Sequence, residues 1–243
     1  MARRTWAALV PLLLATACTT GAEAGSTTTT TDAPAFEAAA VTTTTTTTTT
    51  TVPPTTTTTL PPRPVHEPQW TPFATVAGIV LHHPSARVER IGFHQSNHEG
   101  AQELEVLPTA SAPVTLEARD RLTSPRSAAD VVVDPAFGIR TPVTGRVKRA
   151  GGYTLYCEHR DDFVVVAPDA RPDWEVKLLH INGVQVRAGQ RVVAGQTVLA
   201  PAPTRLPFAS QVDDHTSEPA WPHVHIEVVD PSIPNIASPG GGC

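Results

Sequence analysis

Pro222-His223-Val224-His225-Ile226-Glu227-Val228 reads as a short strand carrying two imidazoles two residues apart. Strand side chains alternate between faces with period two, so His223 and His225 project from one face. Two imidazoles aimed into one place can bind a metal or move protons; a bland strand would use them only as a polar face. The surrounding chain decides between these uses.

Working outward, the second half of the chain is a series of short β-branched runs separated by turn signals. Val131-Val132-Val133 and Phe163-Val164-Val165-Val166 read as buried strands, and Pro142 to Val147 as a turn into another. Glu175 to Ile181 alternates polar and apolar residues around Val176, Leu178 and His180. Val184 to Leu199 holds two glycine turns, Ala188-Gly189-Gln190 and Ala194-Gly195-Gln196. No amphipathic helix is evident here, so the predicted fold class is all-β, a sandwich or barrel-like domain. Further upstream, Thr75 to Leu81 and Val88 to Phe93 read as additional strands. Phe93 to Gln102 reads as a polar loop: His94 and His98, four apart, would share a helical face, but Ser96, Asn97 and Gly100 argue against a helix.

The first quarter has a different composition. Met1 to Ala17 carries Arg3 and Arg4, then the apolar run Trp6 to Ala15, then small residues, the layout of a secretory signal and too short to span a membrane. Leu14-Ala15-Thr16-Ala17-Cys18 resembles a bacterial lipobox, with Cys18 as the lipid attachment point; Ala15-Thr16-Ala17 equally fits an ordinary cleavage site, leaving a freely secreted protein as the alternative. Residues 18–68 form a Thr/Pro-rich stalk, with unbroken threonine from Thr42 to Thr51 and again from Thr55 to Thr59. Such a segment has too little apolar surface to offset its chain entropy and is expected to be disordered and extended. The expected organisation is a signal peptide at 1–17, the stalk at 18–68, a β domain at 69–236 and a flexible tail at 237–243. The expected location is extracytoplasmic, on a lipid anchor in the bacterial cell membrane or secreted.

Formal net charge is -5, from 18 Lys and Arg against 23 Asp and Glu, and no basic cluster offers a footprint for nucleic acid. The three cysteines, Cys18, Cys157 and Cys243, are spaced too widely for a zinc ribbon. If lipid consumes Cys18, Cys157 and Cys243 remain as a disulfide pair or as two free thiols.

Taken in order, Pro142 to Val147, Leu178-Leu179-His180-Ile181, Val186 to Gln196 and Pro222 to Glu227 resemble the lysostaphin-type, LytM-like zinc endopeptidases, which cut peptide cross-links in bacterial peptidoglycan. The resemblance covers roughly Arg121 to Asp230. It implies zinc as cofactor, His225 and Asp130 as metal ligands, and His180 and His223 as the catalytic pair. Asp130 stands at the expected spacing before Gly145. Four residues before it, where the family has its first ligand histidine, stands Arg126, a cation that cannot coordinate another. Catalytic zinc needs three protein ligands, so His94 or His98 would have to fold back and compensate.

Two functions follow as expectations. With a degenerate zinc site, the domain binds peptidoglycan or an envelope protein; with a complete one, it is an active metalloendopeptidase acting on cross-link peptides.

Overall fold

The computed structural model describes residues 61–236, all within one compact unit. The expected signal peptide, Cys18, the threonine runs and the 237–243 tail lie outside the described residues. Residues 61–68, which were expected to belong to the stalk, lie on the domain: His66 forms an antiparallel bridge with Val88, and Arg63 pairs with Glu89 and stacks over Trp221.

The architecture is all-β, as the alternation predicts. In chain order the strands are β1 (Pro72–Val76), β2 (Ile79–His82), β3 (Val88–His94), β4 (Glu105–Val106), β5 (Pro113–Thr115), β6 (Ala128–Val133) and β7 (Ile139–Arg140). They continue with β8 (Gly145–Leu155), β9 (His159–Pro168), β10 (Glu175–Asn182), β11 (Arg191–Val192), β12 (Val198–Ala200), β13 (Ala202–Pro203) and β14 (His223–Val229). A 3-10 helix, Gln211–His215, precedes β14. Nine strands form one open, mostly antiparallel sheet in the order β11-β8-β9-β10-β14-β6-β3-β5, with β13 added to β10. Two small sheets, β2-β1-β4 and β12-β7, complete the fold.

Period-two alternation sorts the central strands. Val131 and Val133 of β6, Val176 and Leu178 of β10, and Val224, Ile226 and Val228 of β14 enter the main core. There they meet Phe73 and Leu81 of the small three-stranded sheet and Ile139 and Leu199 of the two-stranded one. Burying one such side chain stabilises by roughly 1.5–3 kcal/mol. The opposite face of the same strands carries the polar residues and only a small apolar cluster, Leu116, Val132 and Val212. Gly92 of β3 lies beneath that cluster, where an added Cβ would come within 2.8 Å of Val212.

All six residues of β6 are buried, so the strand is covered on both faces. This matters because it carries Asp130 at its centre and leaves no room for the sheet to slip: a one-residue shift would send Asp130 into the apolar core.

Ile226 is fully buried at the centre of β14. Ile226→Ala should destabilise the domain by about 2–5 kcal/mol, measured as a lowered urea midpoint with an unchanged slope.

Candidate metal centre and catalytic cleft

Strand register assembles the polar face. Asp130 on β6 pairs directly with His225 on β14, and His223 pairs with Val132. On the other side of β6, Gly92 faces Asp130 and His94 faces Ala128, two residues from Asp130 on the same face. His94, Asp130 and His225 therefore converge from three adjacent strands, and one potential ligand atom from each lies within 4.8 Å of the others. This is the single His/Cys/Asp/Glu grouping of that kind among the described residues.

The hydrogen bonds fix which atoms point inward. His94 Nδ1 donates to the Gln95 carbonyl at 2.9 Å, so its Nε2 presents a lone pair. That Nε2 is 3.1 Å from Asp130 Oδ1 but makes no hydrogen bond, and it is buried. His225 Nδ1 lies 2.9 Å from the same Asp130 oxygen. Its other nitrogen, Nε2, is 3.7 Å from Glu227 Oε2. Glu227 is held in turn by the Ser96 hydroxyl at 2.5 Å and by Lys177 at 3.1 Å.

His180 reaches the site from β10, at a break in register between Leu179 and Ile181, with a left-handed backbone (φ +63°). A non-glycine residue there is strained, and Asp161 of β9 stabilises it. One carboxylate oxygen of Asp161 accepts from the His180 backbone N–H (3.1 Å), from His180 Nδ1 (2.7 Å) and from the Tyr153 hydroxyl (2.5 Å). The His180 ring stands edge-on to His223 at 5.1 Å between centroids. His223 Nε2 is 3.9 Å from Asp130 Oδ2.

The electrostatics follow from burying one carboxylate among imidazoles. Burial works to raise the Asp130 pKa, but His94, His223 and the bond from His225 hold it well below the usual carboxylate range. Burial opposes the charged form of His225, yet its bonds to Asp130 and Glu227 push it up to about 9. His223 goes the other way, to about 4, because burial dominates and neighbouring histidines add repulsion. Glu227 is held down by His225 and Lys177 against its own burial. Asp161 is likewise lowered, its burial outweighed by bonds from His180 and Tyr153.

Apart from Asp161 and Lys177, these groups line a cleft of about 500 Å³. His94, Asp130, His180, His223 and His225 all line it.

Sequence expectations fare differently one by one. His180, His223, Asp130 and His225 are brought together. His94 ends β3 rather than lying in a loop, and it joins Asp130 and His225; His98 lines the cleft but is outside the group, with Nδ1 accepting from the Gly100 amide. Arg126, at the spacing of the family's first ligand histidine, does not occupy a ligand position. The chain turns at Ser124–Ser127 before β6 begins, and the Arg126 guanidinium pairs with Glu103 at 2.9 Å, both side chains about half exposed. Asp161, Tyr153 and Glu227 were not singled out by sequence. Of these, only Glu227 carried a usable signal, as the next residue on the His223 and His225 face. Cys157 is disulfide-bonded, and its partner is outside the described residues.

No protein-family model matches the chain, and no curated protein matches it. Among solved structures, a zinc-containing peptidase from Vibrio cholerae is similar over 56% of this chain at 18% identity, with a TM-score of 0.31. The chain spans 33% of that protein's length, and at this score the likeness transfers neither fold nor function. No helix among the described residues is long and apolar enough to cross a membrane.

The two opposed histidine shifts give the metal-free protein a pH signature. His225, raised above its ordinary 6.5, stabilises fully below that pH and loses its contribution as pH climbs through about 9. His223, depressed to about 4, penalises folding increasingly as pH falls from 6.5. Chelator-treated protein should therefore be most stable near pH 6.5, with lower urea midpoints at both pH 5 and pH 8.5.

Proposed function

We propose that the domain is a zinc-dependent peptide hydrolase of the bacterial cell envelope, acting on peptidoglycan cross-link peptides. The convergence of His94 Nε2, Asp130 Oδ1 and His225 Nδ1 at the cleft floor carries the reading. Two imidazoles and one carboxylate suit zinc, which favours nitrogen donors with an open fourth position. The donor set also fits on its own terms: the buried His94 Nε2 has no hydrogen-bond partner and faces the other two groups. Glu227 beside His225 Nε2 matches the carboxylate that commonly orients a ligand histidine.

Bound zinc supplies Lewis acidity toward a water and a carbonyl oxygen. The chain's own residues do the rest. His180, its Nδ1 proton committed to Asp161, offers Nε2 to accept a proton from the attacking water. His223 is neutral at pH 7, so it donates a hydrogen bond to developing negative charge without competing as a cation for the metal position. The His180–Asp161–Tyr153 chain fixes the ring against rotation.

The binding-module reading was motivated by a site with two ligands, and His94 beside Asp130 and His225 supports the three-ligand reading in its place. The envelope setting is supported by the leader and threonine stalk in the sequence and by the resemblance of the Leu178–Ile181 and Pro222–Glu227 motifs; peptidoglycan is the partner that resemblance implies.

Metal analysis tests the reading first. Purified protein should hold about one zinc per chain, His94→Ala should lose it, and His98→Ala and Arg126→His should keep it. Absence of stoichiometric zinc in the wild type overturns the proposal. His180→Ala and His223→Ala should retain the metal while lowering chelator-sensitive hydrolysis of cross-linked peptidoglycan by about 10²–10⁴-fold.

A further inference from the structure

Two arginines line the same cleft as the candidate metal centre, Arg119 and Arg121. Among the described residues neither forms a direct ion pair with a carboxylate, and their side-chain hydrogen bonds go to uncharged acceptors. Arg119 Nε donates to the Gln211 side-chain oxygen at 2.7 Å, and one Arg121 terminal nitrogen donates to the Gln95 carbonyl at 2.6 Å. Arg140, Arg146 and Arg205 likewise bond backbone carbonyls, but none of them lines the cleft. Arg63, Arg87, Arg126, Arg149 and Arg191 all reach a carboxylate.

The pair is also held in place. Gln95, buried and adjacent to His94, binds their loop from both sides: its side-chain oxygen accepts from the Arg119 amide at 2.7 Å, and its side-chain nitrogen donates to the carbonyls of Arg121 (2.9 Å) and Thr123 (3.0 Å). The residue that follows a candidate ligand thus sets the position of two cations relative to that ligand. Desolvation and then the charge of Arg119 lower the Arg121 pKa, while Tyr156, Asp130 and Glu227 act in the opposite direction without reversing the shift. An arginine anchored through one nitrogen keeps further N–H groups for a planar, two-oxygen acceptor.

We propose that Arg119 and Arg121 form a carboxylate-recognition subsite, so that the cleft selects peptides carrying a free carboxylate close to the bond that is cut. This rests on the peptide-hydrolase reading above for the cut, but not for the binding. Guanidinium groups match the spacing of carboxylate oxygens in a bidentate pair, which gives orientation as well as attraction. A peptide held there by its carboxylate presents its backbone to the His180 and His223 side of the same cleft.

The test compares native peptidoglycan sacculi with sacculi whose free carboxylates have been converted to carboxamides with carbodiimide and ammonium. Zinc-loaded wild type should bind native sacculi about tenfold or more tightly than amidated ones in co-sedimentation, in keeping with the worth of a charged hydrogen bond. Arg119→Gln and Arg121→Gln should each lose most of that preference, with little further loss on amidation. In hydrolysis the same variants should raise KM more than they lower kcat. Arg119→Gln alters an exposed side chain, so its result stands if Arg121→Gln fails to fold. Carboxylate-dependent binding without hydrolysis keeps the subsite and removes the hydrolase reading. Hydrolysis indifferent to amidation and to both variants removes the subsite and leaves the hydrolase. Absence of both binding and hydrolysis removes both.

Discussion

A single buried carboxylate constrains the polar face of this domain. Asp130 is only 4% exposed at the centre of β6, and an ionised carboxylate in such a place is costly unless its charge is matched. The fold matches it with the His225 imidazole of β14, which is pushed up to about 9 and bonds it at 2.9 Å, and sets the rings of His94 on β3 and of His223 within 3.9 Å of it. Antiparallel register makes this possible because directly opposed residues approach within about 5.5 Å at Cα. The apolar pattern on the far face of β6 and β14 then locks that register, since any slip exchanges Asp130 with a valine. Core packing and site assembly are thus one constraint seen from two sides of a sheet.

His180 is placed by a different device. A regular β10 would pair residue 180 with the same neighbours as its flanking residues, but the register breaks and the backbone turns left-handed. Strain of this kind persists where surrounding groups over-determine it. Asp161 does so by binding both the amide and the ring of His180 through one oxygen, with Tyr153 on the same atom. Removing the Asp161 carboxylate would therefore free both the backbone and the side chain, and the ring would lose its tautomer along with its position.

What could be read from sequence depended on how local the signal was. His223 and His225 were legible because period two is a local rule, and the all-β class followed from repeated short β-branched runs. Asp130 was legible through its distance from Gly145. His94 was named only as one of two possible compensating ligands with His98, because its place beside Asp130 comes from pairing of β3 with β6, strands separated by a long excursion through β4 and β5. A search four residues upstream of Asp130 met Arg126 instead, and nothing in that spacing reveals that the chain turns at Ser124–Ser127 and sends Arg126 outward to Glu103. Asp161 was invisible because a lone acidic pair, Asp161-Asp162, acquires meaning only when β9 is laid against β10.

The cleft also inverts the charge of the molecule around it. The chain carries a net charge of -5, which taken alone would repel an anionic polymer. Local field, however, is set by the nearest groups and the low-dielectric walls between which they sit, and a cleft concentrates it. At the floor Asp130 has the charged His225 and Glu227 has Lys177 within hydrogen-bonding range. At the wall Arg119 and Arg121 have no such compensation. The uncancelled charge facing the cleft is consequently positive. Since the 119–123 loop is tied to Gln95 and Gln95 follows His94, the distance between that charge and the metal-candidate atoms is set by covalent neighbours and short hydrogen bonds rather than by a mobile loop. A substrate anion bound there would be located relative to the reacting atoms without further ordering, which is where orientation lowers a barrier.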